Sequence, residues 1–354
     1  MNDRTQGSPG SPTGPSDSRP TIQLGHGSGG RMTADLIRTV ILARFANPTL
    51  AALDDSAELN IDGARLAFTT DSFVVDPIFF PGGDIGDLAV NGTVNDLAVC
   101  GALPGFLSAA LIIEEGFPVS DLERIVSSMQ RAARTADIQI VTGDTKVVNR
   151  GKADKIFVNT SGIGVIGRNV DLGPGRVREG DVVLVSGPIG NHGIAVLSQR
   201  EGFAFGTAVT SDTAPLTPLT QSLINSCGHN LRFMRDPTRG GVAAVLNECA
   251  AGAAVQIEID ESAIPIDPPV AAACELLGID PLHVANEGKL IAIVDASAAD
   301  MALEALRSHH IGSRACLVGK VTAAGAGGRV TMKTRLGARR IIDVPLGEQL
   351  PRIC

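Results

Sequence analysis

From residue 21 onward, short apolar runs bounded by glycine or aspartate alternate with stretches of helical spacing, a pattern that folds as layered strands and helices. The segments 64–70, 138–142, 155–167 and 181–187 read as strands. Between them 120–136 reads as an amphipathic helix, because Leu122, Ile125, Val126 and Met129 repeat at i, i+3, i+4 and i+7. Ser120 and Glu123 have the spacing of a capping box at its start. Further helices are expected at 193–199, 241–251 and 299–308. The fold class is α/β with α+β character.

The 354 residues suffice for two domains. The polar, glycine-rich segment 171–181 follows the longest strand pattern and is the natural boundary, which divides the chain into 21–170 and 171–330. Residues 1–20, made of Ser, Pro, Gly and Asp with almost nothing apolar, are expected to be a disordered extension. Residues 331–354 carry Lys333, Arg335, Arg339, Arg340 and Arg352 and read as a flexible tail ending in PRIC.

Composition removes several function classes. With no Trp, no Tyr, 11 Phe and a net charge of −8, the chain has neither the stacking surface nor the positive field that nucleic acid requires. The most apolar stretch, 106–113, is far too short to span a bilayer, and the first residues lack a signal-peptide pattern. A cytoplasmic protein with no nucleic-acid or membrane partner is expected. Of the six cysteines, at 100, 227, 249, 274, 316 and 354, none forms a CxxC pair. Five lie in apolar segments as small hydrophobes; the sixth is the last residue.

Four features carry chemistry. The run LGHGSGGRM (24–32) contains a GxGxxG at Gly25, Gly27 and Gly30, but Arg31 and Met32 stand where a P-loop has Lys and Ser or Thr. It is either a loop of N–H groups over phosphates or a plain glycine-rich turn. Acidic residues recur after strand-like runs, at Asp54, Asp55, Asp71, Asp84, Asp87, Asp96, Asp144 and Asp236. Carboxylates at the C-terminal ends of strands line the usual α/β crevice, and a crowd of them needs cations, as in Mg²⁺-nucleotide binding; the alternative is a set of solvated turn residues. RDPTRGG (235–241) leads into a helix whose first N–H groups favour anions. Cys354, on an arm of about two dozen residues, has reach as its distinctive property.

The run HGSGGR (26–31), the segment 71–102, GDTKV (143–147), NTSGIG (159–164), MRDPTRGGVA (234–243), NEGK (286–289) and the terminal PRIC together resemble the HypE-type hydrogenase maturation proteins across residues 21–354. That family shares its fold with aminoimidazole ribonucleotide synthetase, selenophosphate synthetase and thiamine-phosphate kinase. The resemblance implies a two-domain PurM-like ATP-binding fold, with an N-terminal sheet that pairs across a homodimer and a mobile tail. It implies that ATP and Mg²⁺ dehydrate a carbamoyl group on Cys354 to a thiocyanate. A HypF-type carbamoyltransferase would load the thiol, and a HypC and HypD complex would receive the cyanide for the iron of NiFe hydrogenase.

Site residues follow by the same resemblance. Cys354, Lys146 and Glu287 would be catalytic. Gly27, Gly29, Gly30, Asp71, Asp87, Asn95, Asp96, Asp144, Asp236, Arg239 and Gly240 would bind the nucleotide, and Asp55, Asp71, Asp96, Asp144 and Asp236 the metal. A selenophosphate synthetase carries a reactive Cys or Sec in its N-terminal glycine-rich loop, where this chain has HGSGGR. The other rivals are a different ATP-dependent enzyme of the same fold, and a carrier or scaffold that ferries a group on Cys354 without catalysis.

Overall fold

A computed structural model describes residues 20–27, 29–45, 47–202, 209–325, 327–344, 347, 350 and 352–354. The expected disordered extension lies outside the described residues except for Pro20.

The first sheet contains β1 (Ala57–Ile61), β2 (Ala64–Phe73), β5 (Ala102–Glu114), β6 (Gln139–Val148) and β7 (Ile156–Ile166), in the order β1-β2-β7-β5-β6. Two short strands, β3 (Phe79–Phe80) and β4 (Gly83–Asp84), pair beside it. All neighbours in the large sheet are antiparallel except β5 and β6. Alternation along β7 shows why only one face is covered: Ile156, Val158, Thr160 and Ile166 point inward and are buried, whereas Val165 is exposed. Phe68, Ile163 and Phe106 are register partners across three strands, as are Leu66, Val165 and Leu103. Phe68, Phe106, Leu103 and Val165 are all exposed, so these partners form an open apolar face. The edge strand β6 is exposed along almost its whole length.

Helices Ile85–Val99 and Val119–Thr135 pack on the covered face. In the first, 13 of 15 residues are buried, so it shows no amphipathic stripe to mark it in sequence. Asp84 caps it by accepting from the N–H groups of Gly86 (2.9 Å) and Asp87 (3.2 Å). Gly86 allows the second helix to approach, since a Cβ there would lie 2.5 Å from the Ile125 carbonyl oxygen. The second helix starts at Val119 after Pro118 with no side-chain cap, so the Ser120–Glu123 capping box does not form. The chain enters helical geometry two residues too early for Ser120 to act as a cap.

The second sheet holds β8 (Val182–Val185), β9 (Leu231–Arg235), β10 (Val255–Asp260), β11 (Ile291–Val294), β12 (Cys316–Ala324), β13 (Arg329–Lys333) and β14 (Arg339–Ile342). Its order is β14-β13-β10-β12-β8-β11-β9. Helix Gly241–Ala253 covers one face, packing Val242, Val245, Leu246 and Cys249 on Val183, Val185, Ile291 and Ile293. Helices Thr217–Cys227 and Ala299–Arg307 cover the other, where Leu184, Ala292 and Val294 point. Burial on both faces explains the near-continuous apolar runs of β8 and β11.

The sheet continues beyond residue 331. Val330, Met332 and Ile342 point into the core and are buried, so residues 331–342 belong to the sheet and not to the expected tail, which can start only after Ile342.

Candidate active site

Where the second sheet meets the loop before β1, the end of β9 supplies Arg235, whose side chain is only 7% exposed. Its guanidinium donates to Asp55 at 2.8 Å and to Glu248 at 2.9 Å, and also to Asp54. Burial works against its charge, yet Asp55, Glu248 and Asp54 outweigh that and raise its pKa. The next residue, Asp236, is 5% exposed.

Asp55, Asp96 and Asp236 bring one carboxylate oxygen each within 4.8 Å of one another. They come from the loop before β1, the central helix Ile85–Val99 and the end of β9 respectively. Thr69 on β2 donates from its hydroxyl to Asp96 at 2.9 Å. Asp71, two residues along the same strand and so on the same face, lies close enough for its charge to raise the Asp96 pKa. Burial pushes the Asp55 carboxyl up to about 6, with Arg235 opposing and Asp54 assisting. Burial, together with repulsion from Asp71 and Asp236, raises Asp96 far above the carboxylate range; burial and Asp55 do the same to Asp236. Oxygen donors crowded at this spacing, with proton affinities raised by burial and mutual repulsion, fit a hard divalent cation such as Mg²⁺.

The placement differs from the strand-end crevice expected. Asp236 follows β9 and Asp84 ends the short β4, but Asp71 lies within β2, Asp87 and Asp96 on helix Ile85–Val99, Asp55 in a loop and Asp144 within β6. Sequence cannot tell a buried helix from a strand when both are apolar on every side.

Glu287, in the loop before β11, is 2% exposed, and its Oε1 has no hydrogen-bond partner. Gly92 of the central helix leaves the space beside it: a Cβ there would meet the Phe73 ring at 2.9 Å and Glu287 Oε2 at 3.9 Å. Burial, then Asp236 and Asp212, holds the Glu287 carboxyl well above its ordinary pKa, with Arg239 opposing. Asn95 lies beneath this loop. Its Nδ2 donates to the Ala214 (3.1 Å) and Glu287 (3.2 Å) carbonyls, and its Oδ1 accepts from the Leu216 N–H at 2.8 Å. Its side chain therefore fixes the loops that frame the site. Asp87, beside Thr213 and Asn91, is pushed up to about 6 by burial and by Asp84.

The two glycine-containing loops lie side by side. A Cβ on Gly29 (φ +76°) would sit 3.0 Å from Arg239 Cβ, and Gly240 (φ +77°) caps helix Gly241–Ala253. Left-handed backbone at both places favours glycine. Around Gly27 there is open space, and Gly30 precedes the short helix Arg31–Leu36. Cys354 reaches this region: it packs against the apolar cluster that contains Phe73, and its charge is the largest influence raising the Arg239 pKa.

Asp144 and Lys146 are not brought to this cluster. They stand on exposed β6 and pair with each other at 2.6 Å, a contact that lowers the Asp144 pKa. Arg235 opens the RDPTRGG run but is given no role of its own by the sequence, and His192, a lone histidine in an apolar segment, carries no readable signal.

The fold and this site define a class. Residues 53–166 match the N-terminal domain, and residues 178–331 the C-terminal domain, of the AIR synthase related proteins. The carbamoyl dehydratase HypE of Rhizobium leguminosarum bv. viciae is 52% identical over 333 residues, 94% of this chain and 95% of that one. A solved HypE–HypF complex contains a chain with 49% identity and a TM-score of 0.84, matching 88% of this chain and 99% of that one. A solved HypE in complex with ATP has 47% identity and a TM-score of 0.79, matching 94% and 100%. Within the AIR synthase related class, the chain belongs to the HypE carbamoyl dehydratase family.

Proposed function

We propose that this chain is an ATP-dependent carbamoyl dehydratase, which converts a thiocarbamate on Cys354 into a thiocyanate to supply the cyanide ligands of a NiFe hydrogenase iron. The observation that carries the reading is the terminal Cys354, held through its carbonyl by the Val74 N–H and packed on the cluster of Phe73, whose ring lies with Glu287 beside Gly92, in a chain whose Asp55, Asp96 and Asp236 converge as a metal-bound triphosphate needs.

The carbamoyl oxygen attacks the γ-phosphorus of ATP, ADP leaves, and the oxygen becomes part of a phosphate ester. One amide proton departs as the C=N bond forms. The second departs as the C–O bond breaks and inorganic phosphate leaves S–C≡N. Converting a poor leaving group into phosphate is what the ATP accomplishes.

Asp55, Asp96 and Asp236, with Asp71 beside them, would hold Mg²⁺, which supplies charge neutralisation for the triphosphate. Gly27, Gly29, Gly30, Arg239 and Gly240 line the two loops over the phosphates, where helix Gly241–Ala253 adds its N-terminal N–H groups. Glu287 takes an amide proton: its partnerless Oε1 is an acceptor inside the site, and a carboxyl with a raised pKa binds that proton more firmly than an exposed glutamate would. Lys146 steadies charge developing on the carbamoyl oxygen.

Lys146 and Asp144 are exposed on β6, so they reach a site through a second copy of the chain. The open apolar face of Phe68, Leu103, Phe106 and Val165 is the surface on which that homodimer forms. We assign the ATP-binding and dimerisation domain to residues 21–170, and to 171–330, with β13 and β14 attached, the second α+β domain, which adds Asp236, Arg239 and Gly240 to the ATP site. A HypF-type carbamoyltransferase loads the arm and a HypC and HypD complex receives the cyanide, in the cytoplasm.

The test is to carbamoylate Cys354, add Mg-ATP and follow intact mass, with Cys354→Ala as control. Loss of the elements of one water, only with ATP and only with Cys354, is expected. ATP hydrolysis at constant adduct mass would reduce the arm to a carrier.

A further inference from the structure

The last three residues lie in a receptor built from both halves of the chain. The Val74 N–H donates to the Cys354 carbonyl (3.1 Å) and the Asp76 N–H to the Arg352 carbonyl (3.2 Å), while Arg352 Nε donates to the Val74 carbonyl (3.0 Å). Residues 352–354 thus run beside 74–76 as an added strand would. Arg200 ties the two segments together, with Nη2 on the Arg352 carbonyl and Nε on the Asp76 carbonyl, both at 2.7 Å. Asp154 pairs with the Arg352 guanidinium at the outer end.

The Ile353 carbonyl between them meets His192 Nε2 at 2.9 Å. His192, on helix Asn191–Glu201, is fully buried, and its ring stands edge-on to Phe80 with centroids 5.4 Å apart. Because a carbonyl only accepts, Nε2 carries the proton. In the neutral ring Nδ1 then accepts from the Ser211 hydroxyl, 2.8 Å away. Burial lowers the His192 pKa, which favours that neutral form.

We propose that His192 is a positioning residue for the dehydration: by donating to the Ile353 carbonyl it fixes the backbone next to Cys354 and so sets where the loaded thiol sits. The role in dehydration rests on the function proposed above; the hold on the arm does not.

His192→Phe keeps a ring against Phe80 and removes the donor, whereas His192→Gln keeps an N–H near the position of Nε2. The full chain is treated with iodoacetamide, and alkylation of Cys354 is followed in the C-terminal peptide. Loss of one buried hydrogen bond is expected to raise the His192→Phe alkylation rate by about tenfold and to slow dehydration of carbamoylated protein, with the KM for ATP unchanged. His192→Gln is expected to restore both rates towards those of the unaltered chain. Equal alkylation and dehydration rates in His192→Phe and the unaltered chain would overturn the proposal, as would equal impairment of dehydration in both variants with no change in alkylation.

A second measurement needs no change at His192: its Nε2–H proton should be protected from exchange in the full chain and lose that protection in a chain ending at residue 351. A signal indifferent to the truncation would overturn the proposal. Faster alkylation of His192→Phe in a protein that performs no dehydration would instead leave the hold on the arm standing and refute the proposed reaction.

Discussion

Asp236→Asn separates the stability of the carboxylate cluster from its function. Asp236 shares a 4.8 Å neighbourhood with Asp55 and Asp96, and at an effective dielectric of 20 two unit charges at that distance repel by about 3 kcal/mol. The raised pKa values mean that bound protons already discharge part of this. Neutralising Asp236 should therefore stabilise the cation-free chain by roughly 1–3 kcal/mol, a Tm rise of about 2–6 °C for a protein of this size. The same change removes a ligand. Mg-ATP at a hundredfold excess over its Kd should stabilise the unaltered chain by about 2.7 kcal/mol and the variant by far less. Thermal melts in EDTA and in Mg-ATP read both effects. A variant that melts at or below the unaltered chain in EDTA, yet keeps its full Mg-ATP response, would refute the cluster as a cation site.

Mixing Lys146→Ala with Glu287→Gln tests sharing across the dimer: if Lys146 reaches the partner's site, each hybrid holds one intact site, and about a quarter of the activity returns on random mixing. No recovery would place both residues in one chain's site. Asp87 has a folded pKa of about 6 against 3.8, so the folded state holds its proton more tightly and stability falls as pH rises from about 4 to 6. The loss is on the order of 3 kcal/mol and should be absent in Asp87→Asn, as denaturant titrations at several pH values would show. Gly86→Ala forces a Cβ to within 2.5 Å of the Ile125 carbonyl oxygen and should destabilise by about 1–3 kcal/mol; an unchanged unfolding midpoint would contradict the packing. Cys354→Ser should bind Mg-ATP normally and form no thiocyanate, as calorimetry and mass spectrometry would show.

Elements with a clear period were legible in sequence. The strand expected at 64–70 is β2, and the amphipathic helix expected at 120–136 is Val119–Thr135. The helix Ile85–Val99, which bears Asp96 and underlies the site, gave no such signal because burial on all sides erases the stripe on which periodicity depends. The tail misled for the opposite reason: the charges of Lys333, Arg339 and Arg340 mask the alternation of Val330 and Met332 that places β13 in the sheet. In the site, carboxylates stood out by type and number, so Asp55, Asp96 and Asp236 could be named before their convergence was seen. Arg235, which joins Asp54, Asp55 and Glu248, and His192, which meets the Ile353 carbonyl, act through contacts across about 180 and 160 residues of chain that no local pattern records.

The central claim is that ATP phosphorylates the carbamoyl oxygen of the thiocarbamate on Cys354. Loading Cys354 with a carbamoyl group carrying heavy oxygen, adding Mg-ATP and analysing the released phosphate tests it directly. The label is expected in inorganic phosphate, one atom for each thiocyanate formed. Label recovered in water, with unlabelled phosphate released at the same rate, would contradict it.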